Sequence, residues 1–260
     1  MRRFLYSTVI VGVLALVWGV GVEPGLLRVR VTRVPVVGLA QALRVALISD
    51  THEGSPGTGC AQIDRVIAAT NAQSPDAVLL LGDYLINGVI GGNPVGPEHA
   101  AAHFVGLAAP VFAVIGNHDA WNCADCMASA LAANGVTVLR NRVVVFHGVT
   151  IVGLDDPYGL GSDVNTIPRT PGALVLVHNP DAVEHMHGPV GLVVAGHTHG
   201  GQVRLPLWGA VVEPTNVIWA DGLSNRYGQT VFVTPGIGTS VLPIRLDDPP
   251  TVDILDLVPG

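Results

Sequence analysis

Five short apolar runs, each breaking off into a knot of Asp, Asn or His, limit what this chain can fold into more than any other feature. Ile48-Ser49 runs into Asp50-Thr51-His52, Leu80-Leu81 into Gly82-Asp83, and Val114-Ile115 into Gly116-Asn117-His118-Asp119. Further on, Val175-Leu176-Val177 meets His178-Asn179, and Val194-Ala195 meets Gly196-His197-Thr198-His199-Gly200-Gly201-Gln202. The runs (44–49, 77–81, 111–115, 173–177 and 192–195) are four to six residues long, which suits buried strands better than helices. Strands apolar on both faces need cover on both faces, as in the sheets of α/β domains. Between the first two runs, Ile63, Val66, Ile67 and Thr70 recur at helical spacing within 60–73, and 98–107 and 124–134 are further helical segments. Such alternation predicts a layered α/β domain with a parallel or mixed sheet. From Val136 onward strands dominate (136–139, 143–146, 150–154, 230–234 and 251–257), which predicts a second sheet packed on the first.

Ligands of open α/β sheets gather at the carboxyl ends of the strands, so the five knots are expected to converge on one crevice. Carboxylate oxygens and imidazole nitrogens are common ligands of Mn, Fe and Zn. On an extended strand end, residues spaced i, i+2 project to the same side, so Asp50/His52 and His197/His199 can each act as a unit. Glycines before Asp83, Asn117 and His197 permit tight turns and close backbone approach. Singly, most of these knots have plainer explanations. Asp-x-His often marks a turn or cap, Gly-Asn-His-Asp a loop, and a lone His178 a hydrogen-bonded core residue. The histidine pair set among glycines at 196–202 suits no core, and the five knots in this order leave little room for coincidence.

Read together, Asp-x-His, Gly-Asp, Gly-Asn-His-Asp, a lone His and Gly-His-x-His resemble the calcineurin-like metallophosphoesterase superfamily over residues 44–257. The resemblance implies an α/β/β/α four-layer sandwich and a phosphoesterase with two divalent metal ions (Mn, Fe or Zn) about 3.5–4 Å apart. It makes Asp83 the bridging ligand, with Asp50, His52 and His199 completing one site and Asn117, His178 and His197 the other. His118 becomes the histidine that stabilises or protonates the leaving oxygen, with Asp119 orienting it. The ions would activate a shared water for attack on phosphorus. The stretches 153–156, 178–180, 196–202, 235–238 and 243–245 resemble a bacterial branch that often carries an N-terminal anchor or export signal. That branch tilts the expectation toward phosphodiesters. A phosphomonoesterase or protein phosphatase, and a catalytically weak binding module on the same fold, are the alternatives. No expected ligand is missing, which counts against the binding module.

The uncharged run 4–22 follows Met1-Arg2-Arg3 and ends at Glu23. Its length is close to the ~20 residues that cross a bilayer. A buried core helix would look similar, but the basic start and the absence of a small-x-small cleavage site predict an uncleaved membrane anchor. Residues 1–22 are therefore expected to anchor the chain, 23–43 to form a linker and lead-in strand, and 44–260 to form the metallophosphoesterase domain. A single N-terminal pass with the catalytic domain outside the cytoplasm is the expected topology, and envelope or lipid-linked phosphate esters are the expected substrates.

The chain carries a net charge of −7, and its 13 basic residues, all arginine, form no stripe. Nucleic-acid binders usually show one, so no nucleic-acid partner is expected, and no protein partner is inferred. Three cysteines cannot pair completely. Cys123 and Cys126 read as two loop thiols, or a small local disulfide outside the cytoplasm, and Cys60 has no evident partner. His99 and His103, four apart on a helix, have metal-binding spacing but read as a surface pair for want of a third ligand. His147 sits beside a turn glycine, and His185 and His187 read as exposed. Asp155 and Asp156 could cap a strand or line the cleft. Arg204 and Arg226 read as structural or surface residues before phosphate contacts.

Overall fold

The computed structural model describes residues 2–168, 171–212, 215 and 221–260. In chain order the first strands are β1 (Arg28–Val36), β2 (Leu43–Ile48), β3 (Ala77–Leu80), β4 (Val111–Ala113) and β5 (Thr137–Val138). They are followed by β6 (Arg142–Phe146), β7 (Val149–Gly153), β8 (Leu174–Leu176) and β9 (Leu192–Ala195). A small hairpin, β10 (Arg204–Leu205) and β11 (Gly209–Ala210), precedes β12 (Gly222–Arg226), β13 (Gln229–Val233) and β14 (Thr251–Pro259). The α-helices are α1 (Arg2–Gly21), α2 (Cys60–Asn71), α3 (Pro97–Ala102) and α4 (Asn117–Ala133).

Two six-stranded mixed sheets form the body, ordered β1-β14-β2-β3-β4-β5 and β12-β13-β9-β8-β7-β6. Alternate residues of each strand serve different layers. Val45 and Leu47 point into the core between the sheets with Leu79, Leu176, Val194 and Leu255. Ala46 and Ile48, on the opposite face of β2, pack with Val78 and Leu80 against Ile63 and Val66 of α2 and Met127 and Leu131 of α4. The outer face of the second sheet is covered by Ala182 and Val183 of the 3-10 turn Pro180–His185. Both faces of β2 are thus removed from water, which explains why its sequence is an unbroken apolar run rather than an alternating one.

The segment 23–43 holds a lead-in strand, β1, nine residues paired in parallel with β14 at the sheet edge. Two local outcomes depart from the sequence expectation. The helical segment 98–107 is α3 followed by a 3-10 turn at His103–Gly106. Helix α4 begins at Asn117, inside the polar knot that reads as a loop. There Gly116 is the N-cap, and the Asp119 carboxylate reaches back to the Gly116 N–H at 3.0 Å, the arrangement that starts a helix at low intrinsic propensity.

After its two N-terminal arginines helix α1 carries no charge, and it exposes Val9, Ile10, Leu14, Val17 and Val20. Its C-terminal end is tied to the body. The Arg245 N–H donates to the Gly19 carbonyl at 2.9 Å, and Trp18 Nε1 donates to Glu23 Oε2 at 2.7 Å.

Candidate metal centre

The polar knots meet where the carboxyl ends of β2, β3, β8 and β9 and the start of α4 come together. Asp50, His52, Asp83, Asn117, His118, His178 and His199 are buried there, and His197 is half-buried. The pairs at i, i+2 do not converge by strand alternation. Asp50 (φ 51°), His52 (φ 40°), Asp83 (φ 57°), His197 (φ 69°) and His199 (φ 52°) all adopt left-handed backbone. Such conformations cost about 1–3 kcal/mol each and persist where the surroundings over-determine them. Turns too tight for strand geometry aim these side chains inward. The glycines have a steric reason: a Cβ at Gly116 would fall on Asp83 Oδ1, and one at Gly196 on Ser49 Oγ and Asp50 Oδ2.

The donor atoms fall into two groups that share a rim at Asp83. Asp50, His52 and His199 place ligand atoms within 4.8 Å of one another, and so do Asp83, His178 and His197. Asp83 also groups with His52 and His118 by the same measure. Its Oδ1 accepts the His118 backbone N–H at 2.8 Å, while Oδ2 lies 3.2 Å from His178 Nε2 and 3.5 Å from His52 Nε2. Asn117 Oδ1 is 3.0 Å from His178 Nε2, and His199 Nε2 is 3.4 Å from Asp50 Oδ1.

Two features of this chain fit divalent cations. His52 Nδ1 sits 3.0 Å from the Leu85 carbonyl and His178 Nδ1 2.8 Å from the Leu81 carbonyl. A carbonyl only accepts, so Nδ1 carries the proton in each neutral ring and Nε2 turns toward the carboxylates, the usual outer-shell pattern of a metal-ligating histidine. Imidazole nitrogens also face each other at 3.1 Å, His52 with His199 and His178 with His197, beside carboxylates that form no arginine salt bridge among the described residues. Burial lowers His52 to a pKa of about 4 despite the opposing pull of Asp83, and lowers His197 to about 3, assisted by His178. Both rings are therefore neutral and can ligate. At His178 burial also favours the neutral ring, but Asp83, Asp50 and Asp156 outweigh it and raise the pKa to about 10. In the metal-free chain one proton does there what a cation would do.

His118 lies on the same wall, with Nε2 4.0 Å from Asp83 Oδ2 and Nδ1 without a hydrogen-bond partner among the described residues. Its backbone carbonyl is held by Asn87 Nδ2 and Asn122 Nδ2, both at 3.0 Å, contacts that no sequence signal announces. Asp119 does not contact the His118 ring through its carboxylate. Instead it accepts the backbone N–H groups of Asp83, Tyr84, Leu85 and Gly116 at 2.8 to 3.1 Å, and so fixes the turn that carries Asp83. A second buttress is Arg245, fully buried, which donates to the carbonyls of Pro235, Gly238 and Asp248. The loop it holds packs Ile237 and Gly238 against Ser49 and Asp50 by backbone hydrogen bonds. Asp155 and Asp156 are occupied locally, the first by Arg140 and Asn141 and the second by the Tyr158 N–H. Arg204 Nη1 donates to the Gly200 carbonyl at 3.3 Å.

A cleft of about 460 Å³ opens above Asp83, Asn117, His118, His197 and His199. Its outer walls are mostly apolar, with Trp121, Val211, Val212, Val241, Leu242 and Ile244 beside the polar Gln202 and Ser240.

Residues 43–201 match the family model described as calcineurin-like phosphoesterase, and this chain belongs to that family. It is 32% identical over 240 residues to Phosphodiesterase YaeI of Escherichia coli (strain K12), covering 84% of this chain and 83% of that one. It is 29% identical over 231 residues to the metallophosphoesterase YkuE of Bacillus subtilis (strain 168), covering 82% and 78%. To the "Transmembrane protein with metallophosphoesterase domain" of Danio rerio it is 28% identical over 275 residues, covering 94% of this chain and 60% of the relative. The protein is a hydrolase of the metallophosphoesterase type with a His/Asp cluster suited to divalent cations.

Proposed function

We propose that the chain is a membrane-anchored phosphodiesterase that cleaves lipid-linked phosphate esters with two divalent cations drawn from Mn, Fe and Zn. The observation that carries the reading is the shared carboxylate of Asp83 between two groups of inward-facing imidazoles. In our assignment Asp50, His52 and His199 would hold one cation and Asn117, His178 and His197 the other, with Asp83 available to both. Cations bound there would lower the pKa of a coordinated water and neutralise the phosphate oxygens. The chain's own residues do the rest. Asp119 keeps the Asp83 turn in its left-handed shape, and Asn87 and Asn122 fix the backbone of His118. Burial lowers the His118 pKa, so its resting ring is neutral and can offer an N–H to the leaving oxygen.

Three observations support the membrane setting. The outer walls of the cleft are mostly apolar, with Gln202 and Ser240 among them, where a free nucleotide or sugar phosphate would call for more polar contacts. Leu207 and Trp208, on the hairpin beside those walls, are largely exposed. The end of α1 is bonded to the 244–248 loop, so a helix long and apolar enough to cross a bilayer leaves the body close to the cleft's mouth. We assign residues 1–22 to the anchor, 23–43 to the lead-in and 44–260 to the catalytic domain. The Cys123–Cys126 disulfide supports an extracytoplasmic domain, where such bonds persist.

The test is to purify the full chain in detergent, load it with Mn²⁺, and compare an aryl phosphodiester, an aryl phosphomonoester and a lipid-linked nucleotide diester. The reading predicts that the diesters exceed the monoester and that the lipid-linked one is the best of the three. A preference for the monoester would overturn the diester reading, and equal rates with the water-soluble and lipid-linked diesters would overturn the lipid one.

A further inference from the structure

His52 looks into the cleft; its neighbour Glu53 looks the other way, into a second cluster that the phosphoesterase chemistry does not use. There Glu53, Cys60 at the start of α2, His99 in α3 and His103 in the next turn bring four ligand atoms within 4.8 Å of one another. Glu53 Oε1 is 3.1 Å from His99 Nε2 and 3.1 Å from His103 Nε2. Cys60 Sγ is 3.6 Å from His99 Nε2 and 3.8 Å from Glu53 Oε1.

These separations have a common geometric origin. A tetrahedral zinc ion with bonds of about 2.3 Å to sulfur and about 2.0–2.1 Å to nitrogen and oxygen sets its ligands apart by about 3.3 Å for N···O and about 3.5–3.6 Å for S···N and S···O. Hydrogen bonds account for these contacts one at a time, the two sulfur contacts included. They do not by themselves require a carboxylate, a thiol and two imidazoles to gather with every donor atom within 4.8 Å of the others, as the ligands of one ion do. Two further features fit a metal. Asp64 Oδ1 lies 3.4 Å from His103 Nδ1, the outer carboxylate that fixes the proton on the far nitrogen and bares Nε2. Glu53 is 3% exposed in its side chain, and the ion-pair partners it has are His99 and His103, not an arginine. A carboxylate and a thiolate around one divalent ion cancel its charge.

We propose that Glu53, Cys60, His99 and His103 form a third, structural binding site for a zinc-class divalent cation, separate from the phosphoesterase cleft. Four protein ligands close the coordination sphere, so the ion holds α2, α3 and the strand end carrying His52 together and takes no part in hydrolysis. The set of one sulfur, two nitrogens and one oxygen favours Zn²⁺ or Co²⁺ over Mg²⁺ or Ca²⁺. Sequence spacing shows only the histidine pair; the other two ligands come from segments 39 and more residues away.

Cobalt provides the test, because the cleft contains no thiol and Cys60 is the free cysteine. The full chain, with its Cys123–Cys126 disulfide intact, is loaded with Co²⁺ and its near-ultraviolet spectrum recorded, with metal counted by elemental analysis. The site predicts a thiolate-to-cobalt charge-transfer band and one metal equivalent beyond those of the cleft. Both should vanish in Cys60→Ser, and both should fall in His99→Ala, yet persist in Asp83→Ala, whose cleft has lost its shared carboxylate. Cys60 is exposed, so Cys60→Ser removes no core packing, and its circular dichroism checks that the fold is retained. A wild-type spectrum without the band, or a metal count unchanged by Cys60→Ser, overturns the proposal whatever the cleft does.

Discussion

His52 and Glu53 are adjacent in the chain and serve two clusters of opposite character. The cleft cluster is buried and built on left-handed turns, with its imidazoles held from behind by carbonyls and its carboxylates by backbone N–H groups. The peripheral cluster is half open to solvent, with Cys60 and His99 exposed in front of a buried Glu53, and its residues keep ordinary backbone conformations. One is strained and keeps donor atoms facing a cavity; the other is relaxed and closes on itself. Strain concentrates where ligands must leave room for substrate, and it is absent where the ligands need only meet one another.

The largest effect that sharpens this contrast is at Asp83. Asp83→Ala should strip the cleft of metal and lower phosphodiester turnover by about 10³-fold or more, because the shared carboxylate carries the charge stabilisation. Metal analysis beside a rate measurement checks both halves, and a variant that keeps its cleft metals while losing turnover would break the assignment. At His118 the expected loss is about 10²-fold to 10³-fold with both cleft metals retained. Full activity in His118→Ala with metals in place would remove it from the mechanism.

Arg245→Met tests the buttress rather than the chemistry. It leaves three buried carbonyls and Asp248 without their guanidinium, for an expected destabilisation of about 3–5 kcal/mol in denaturant unfolding. Glu53→Gln should cost less, about 1–3 kcal/mol, since its partners lie near the surface.

The smallest signal is a proton. In the metal-free chain the His178 pKa is raised from 6.5 to about 10, so the stability of its pairing with Asp83 is fully present below pH 6.5 and is lost as pH rises through about 10. Metal loading at neutral pH must therefore expel that proton, and affinity should strengthen with rising pH. Asp50, raised to about 6 mainly by burial, adds a smaller share. Titration calorimetry in two buffers of different ionisation enthalpy counts the protons released, and a count of zero would contradict the charge state assigned to His178.

Much of the cleft is legible in the sequence because its chemistry sits at strand ends. Runs such as 44–49 and 192–195 are apolar on both faces, so they announce buried strands, and the polar residues after them must lie at the sheet's edge. Features that depend on tertiary contact are not legible in this way. Asn117-His118-Asp119 reads as a loop because its helix starts only when the Asp119 carboxylate satisfies Gly116, and that carboxylate also binds the turn at Asp83–Leu85. For the same reason sequence gives Asp119 a role beside His118, when its oxygens are already committed elsewhere. Spacing aligns Asp50 with His52 as on a strand, but the left-handed turns that aim them come from packing against Gly196 and Gly236. His99 and His103 look like an unsupported pair until folding delivers Glu53 and Cys60 from other elements.

If the cleft works through bound divalent cations, the chelated full chain should hydrolyse an aryl phosphodiester at a negligible rate, and the rate should rise to saturation as Mn²⁺ is returned and the cleft fills. A chelated chain as active as the reloaded one, or a fully loaded cleft with no activity on diesters, would contradict that premise.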